Sequence, residues 1–250
     1  MAQAAWKWMV VAAAVGAGIL ACGDDDDGGG GPNNPRLDGG VQFDAGVNVF
    51  RPGLGEDDGE PEGTPFTLPA GISFAGTLIG ADEVTGECEN ASVESQGTGN
   101  YVRVCVPLRN DTGGPVEVEF PPGLIVVATS EGRAQNGLLI ERTIITVPPT
   151  PRGPGGRDDA GTPDGGVDEG AFIVPIYMYC LNEARDPSNP FITYAVGPVT
   201  SDDALQELLR LLNGKVIDSA EDISAVQDAI YSITEGRGLT TPDRDAIADL

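Results

Sequence analysis

The chain has 250 residues and a formal net charge of -25, with 39 acidic against 14 basic side chains. Such acidity argues against nucleic acid and against electrostatic docking on anionic lipid. There is no histidine, which removes the usual general base, the commonest metal ligand and every Ser-His-Asp or Cys-His arrangement.

Residues 1–21 carry one positive charge, Lys7, and then an apolar stretch that ends in Ile19-Leu20-Ala21, directly before Cys22. One charge, a short apolar run and small residues before the cut make a secretory signal. The run is about 14 residues long, and a membrane span needs about 20. Ile19-Leu20-Ala21-Cys22 resembles the lipobox of bacterial lipoproteins. That resemblance implies cleavage before Cys22, diacylation of its thiol and acylation of the new amino terminus. The protein is then expected on a bacterial envelope membrane, the outer membrane by preference, facing the periplasm or the exterior.

Residues 22–63 read as a disordered acidic tether. Asp24 to Asp27 and Gly28 to Gly31 form blocks, and Pro32, Pro35, Pro52 and Pro61 are scattered among Gly, Asp and Glu. Low hydrophobicity with net negative charge does not offset the entropy of ordering. A flexible chain of this length spans roughly 35 Å.

From residue 64 to 199 the pattern is that of strands. In Tyr101–Leu108, Val102, Val104, Val106 and Leu108 share one face, and Tyr101, Arg103 and Cys105 share the other. Asn110-Asp111-Thr112-Gly113-Gly114 is a turn, after which Val116–Phe120 alternates again. Further strands are expected near 124–129, 138–147 and 171–181. Turn signals every 8–12 residues predict an antiparallel β-sandwich. Residues 148–170, rich in Pro, Gly and Asp, interrupt it as a mobile insert.

From residue 200 to 250 the period becomes helical. Ser201 is placed to cap a helix with Leu205, Leu208, Leu209 and Leu212 on one stripe, ended by Gly214. Ser219 caps a second with Ile223, Val226, Ile230 and Ile233. Thr241-Pro242 opens a third. Stripes this apolar must be covered, and the expected class is α+β: a sandwich with a small helical region packed on it.

With Cys22 lipidated, three cysteines remain, and an odd count outside the cytoplasm needs a reason. Cys88 lies in a polar stretch and Cys105 on the less apolar face of its strand. Their pairing would close a loop of 17 residues; pairing of either with Cys180 is the alternative. Cys180 alternates with Val174, Ile176 and Met178, which places it on the apolar face and reads as a buried thiol.

A second reading starts from Tyr179-Cys180-Leu181 and Val226-Gln227-Asp228-Ala229-Ile230-Tyr231. Together these resemble the two short motifs of bacterial thioester adhesin domains. The resemblance implies that the Cys180 sulfur and the Gln227 side-chain carbonyl form an internal thioester, an electrophile that captures a nucleophile on a host or neighbouring surface. Gln227, four residues after Ile223 and three before Ile230, borders the apolar stripe of its helix and could face Cys180.

No other pattern carries chemistry. Gly153-Pro154-Gly155-Gly156 lacks the Lys of a phosphate loop, Glu117 and Glu119 face solvent on one strand, and Gln135-Asn136-Gly137 reads as a turn. The expectation is a membrane-anchored envelope lipoprotein that displays a non-catalytic binding or structural module, with a covalent Cys180–Gln227 adhesin as the alternative. No enzyme activity, cofactor or metal site is expected. The partners are the membrane, through lipid on Cys22, and an envelope or extracellular ligand.

Overall fold

Alternation along Val102–Leu108 drives four aliphatic side chains into one core, which the rest of the chain encloses. The computed structural model describes residues 51–130, 133–151 and 170–250. Among these, the strands are β1 (Gly63–Pro65), β2 (Ile72–Phe74), β3 (Leu78–Gly80), β4 (Val102–Asn110), β5 (Val116–Phe120), β6 (Leu124–Ala128), β7 (Gly137–Leu138), β8 (Thr143–Val147), β9 (Phe172–Cys180) and β10 (Thr193–Thr200). The helices are α1 (Asp203–Leu212), α2 (Ala220–Thr234) and α3 (Thr241–Ala248).

The strands do not form the two facing sheets of the expected sandwich. β10 pairs with β3 on one side, through Thr193 and Tyr194, and with β6 on the other, from Tyr194 opposite Ala128 to Val199 opposite Leu124. The strands β10, β3, β4, β9, β7 and β6 thereby close into a six-stranded antiparallel barrel, with β1 added beside β10 and β2 beside β4. Alternating sequences suit a sandwich and a barrel equally, and closure is decided by which edges meet. Beyond the residues that pair with β3, the register of β10 against β6 shifts between Val196 and Val199. A bulge of this kind bends and twists a strand enough to turn a barrel corner. Gly197 sits at the shift, where a Cβ would lie 3.2 Å from the Ile125 carbonyl oxygen.

The barrel is filled by Val102, Val104, Val106, Leu108, Val126, Val174, Ile176, Met178, Cys180 and Tyr194. The expected strand over 138–147 is two separate pieces, β7 in the barrel and β8 outside it. β8 pairs with β5 as a two-stranded ribbon whose inward Val118, Phe120, Ile145 and Val147 join the same core.

The helices cover the outer face of one barrel wall. Leu205, Leu208, Val226, Ala229, Ile230 and Ile233 pack with Ile125, Leu138, Tyr179 and Leu181. Fully burying one such leucine contributes about 2 kcal/mol. The cap of α1 is Asp202 rather than Ser201: its carboxylate accepts from the Ala204 and Leu205 N–H groups and pairs with Arg51 at 2.7 Å. Ser219 caps α2 in a reciprocal capping box with Asp222, and Thr240 caps α3.

Residues 51–63, which composition assigns to the tether, pack on this body. Leu54 is buried and the Gly55 N–H donates to the Leu181 carbonyl. The signal segment, Cys22 and the tether up to residue 50 lie outside the described residues, as do residues 152–169 of the expected insert. No helix of the described residues is long and apolar enough to cross a membrane.

Candidate functional site

Cys180 is the last residue of β9, and its alternation with Met178 and Ile176 turns its side chain into the barrel core, with no exposed surface. On one side β9 is flanked here by β7, with Gly137 opposite Cys180. On the other side β4 begins at Val102, opposite Met178, so no strand runs beside Cys180. Its peptide N–H and C=O would be left without a ladder partner at a buried position.

Gln227 supplies that partner. It projects from α2, is 3% exposed, and lays its amide against the open edge of β9. The Cys180 N–H donates to Gln227 Oε1 at 2.9 Å, and Gln227 Nε2 donates to the Cys180 carbonyl at 2.8 Å. The amide is thus one more rung of the sheet. Each of the two backbone groups would cost about 1–3 kcal/mol if buried unpaired. The two residues that the motifs single out, 47 apart in sequence, are held together.

The thiol itself is enclosed. Asn182 N–H donates to Sγ, and Sγ donates to the Asn182 carbonyl, both at 3.2 Å. The Tyr231 side chain, one turn of α2 after Gln227, acts to lower the pKa of the thiol. Burial pushes the thiol up to about 11, outweighing the opposing effects of Tyr231 and of the Asn182 N–H. From inside the barrel comes Tyr194, whose hydroxyl is buried without a hydrogen-bond partner; burial raises its pKa, with a further contribution from the charge of Cys180. On α2 the Thr234 hydroxyl is likewise buried and unpartnered.

Two asparagines lock the surrounding backbone. Asn182 Oδ1 accepts from the Asn136 N–H at 2.8 Å, and Asn182 Nδ2 donates to the Gly55 carbonyl at 2.8 Å. Asn136 Nδ2 donates to the Gly53 carbonyl, and its Oδ1 accepts from the Ala128 N–H, both at 3.0 Å. Sequence reasoning missed this pair and took Gln135-Asn136-Gly137 for a simple turn. The available signal was an Asn two residues beyond the motif cysteine.

Cys88 and Cys105 are joined as a disulfide on the outer barrel face, with Cα atoms 5.6 Å apart. Cys180 is free, so its pairing with either of them is not found. Cys22 lies outside the described residues. Among the described residues no group of three His, Cys, Asp or Glu side chains could hold a metal ion.

The arrangement holds a buried, neutral thiol and the Gln227 side-chain amide around the Cys180 backbone. A backbone N–H is already donated to the acyl oxygen, as in sites that stabilise charge developing on a carbonyl. Comparison with family models, curated proteins and solved structures finds no match.

Proposed function

We propose that the protein is a bacterial envelope lipoprotein, anchored by lipid on Cys22, that displays the barrel and its helices as a binding module, and that the module binds covalently through an internal Cys180–Gln227 thioester. The observation that carries the covalent reading is the paired hydrogen bonding of the Gln227 amide with the Cys180 backbone. In the thioester-forming step, Sγ attacks Gln227 Cδ, the Sγ–Cδ bond forms, the Cδ–Nε2 bond breaks and ammonia leaves with the thiol proton. The Cys180 N–H holds the oxygen of the tetrahedral intermediate. An amine or hydroxyl slender enough to enter the enclosed site then takes the acyl group, and its proton passes to the sulfur, which leaves as the free thiol.

A plainer reading also has a specific observation in its favour. Gln227 fully satisfies the open end of β9, which is a sufficient structural reason for a buried glutamine in a non-covalent binding or structural module.

Mass spectrometry of the purified protein separates the two. The covalent reading expects a mass lower by one ammonia than the sequence with its disulfide requires. Methylamine should then add to Gln227 and expose the Cys180 thiol, and Cys180→Ala should abolish both effects. A full mass with no adduct sinks the covalent reading and leaves the strand-end cap.

A further inference from the structure

The Cys180 sulfur has no exposed surface, so whatever reacts with it must first displace part of the protein. Three elements meet there. β9 and its neighbour β7 belong to the barrel, and α2 is packed through Val226, Ala229, Ile230 and Ile233. The third is the chain just beyond the strand. Asn182 gives the sulfur both of its hydrogen bonds, one to its N–H and one to its carbonyl, each at 3.2 Å. What holds residues 181–182 therefore governs the thiol.

Residues 53–58 hold them. The Gly55 N–H donates to the Leu181 carbonyl at 2.9 Å, and Asn182 Nδ2 donates to the Gly55 carbonyl at 2.8 Å. Arg185 clamps the same segment from outside, donating to the Asp57 carbonyl at 2.8 Å and to the Asp58 carboxylate at 2.7 Å. The segment belongs to no strand or helix, and Leu54 is its one large buried apolar side chain. Its other side meets the end of α2. Gly55 has a φ of +59°, and a Cβ there would collide with the Thr234 carbonyl oxygen. Next to this contact the Thr234 hydroxyl and Glu235 Oε1 are buried without a hydrogen-bond partner. An unmet buried polar group is a cost that water would relieve, so the closed seam is biased toward opening.

We infer that residues 53–58 are a strap that gates the Cys180 site. Shut, the strap fixes Leu181 and Asn182 against the thiol. Lifted, it releases both and lets a small reagent reach the sulfur. The first strand begins only at Gly63, so lifting the strap breaks no ladder. The gate concerns access to the thiol, and it holds for either reading of the Gln227 amide.

Thiol labelling tests the gate. The full mature chain is treated with methylamine and desalted, which leaves the thiol free under either reading. Iodoacetamide is added under native conditions, and alkylation of Cys180 is followed by peptide mapping. Leu54→Ala removes the strap's apolar anchor and should label about thirtyfold faster than wild type, the low end for truncating a buried leucine. Arg185→Ala removes the outer clamp and should label about tenfold faster. Ile145→Ala is the control. It lies in the β5–β8 ribbon, which is tied to Asn110 at the end of β4 remote from Cys180. It should lose comparable global stability and keep the wild-type labelling rate. Labelling should also respond little to urea below the unfolding transition, because lifting a strap exposes little surface. Strap variants that label no faster than wild type overturn the gate. So does an equal acceleration in Ile145→Ala, or a urea dependence as steep as that of unfolding. If Leu54→Ala does not fold, Arg185→Ala carries the test. A missing ammonia deficit sinks the thioester and leaves the gate standing, and failure of the gate leaves the deficit to be decided by mass.

Discussion

A side-chain amide that stands in for a strand is a demanding arrangement, because every buried donor and acceptor around it must be met by something specific. The same burial governs the phenols nearby. Burial pushes Tyr179 up to about 12 from an ordinary 10.0, outweighing the lowering effect of its hydrogen bond to Thr98. Tyr194 and Tyr231 are raised for the same leading reason. A group whose folded pKa lies above its unfolded value contributes stability that is complete below the unfolded pKa and is lost as pH rises through the folded one. The protein should therefore keep its stability up to about pH 10 and lose it progressively toward pH 12. Phenolate absorbance should show these three tyrosines ionising late in the native protein and at ordinary pH in denaturant; coincident titration curves would contradict the burial argument. At this scale the sequence was partly readable. Cys180 and Gln227 stand out because a strand period and a helix stripe each fix the facing of one residue. Asn182 and Asn136 do not, because a hydrogen bond between side chain and backbone 46 residues apart leaves no local period.

Among the elements, the long connection from β3 to β4 is tied down by the Cys88–Cys105 disulfide, which lies against Ala81 and Ile173 on the outer barrel face. Closing a loop of 17 residues removes unfolded-state entropy worth about 3 kcal/mol. Replacing both cysteines by alanine should lower unfolding stability by about that amount in a denaturant titration, while the mass signature expected of the proposed Cys180–Gln227 bond stays unchanged. A loss of methylamine reactivity in that variant would mean that the disulfide also shapes the site. Individual elements were legible where periodicity is strong: β4, β5, β9 and the three helices stand near their expected positions. Barrel closure was not, because it depends on one strand, β10, meeting two edges, and a one-residue shift near Gly197 and Pro198 carries no signal of which neighbours it will find. The cap of α1 was misplaced by one residue for a related reason. Asp202 is held in its capping position partly by Arg51, which lies 151 residues away in sequence.

At the scale of the whole molecule, the proposed anchor and the candidate covalent site lie at opposite ends of the chain. Cys22→Ala should abolish acyl labelling and detergent partitioning while leaving the fold and the mass signature at Cys180 unchanged; continued partitioning after signal cleavage would refute lipid anchoring. The asparagine network gives this separation a mechanical meaning. Close to the first described residue, Gly53 and Gly55 are bonded to Asn136, Leu181 and Asn182. In the proposed covalent state the target would hang from Gln227, so a pull on it would reach residues 53–55 through the packing of α2 with Leu54 and Leu181, and that seam would set how hard the tether can be pulled.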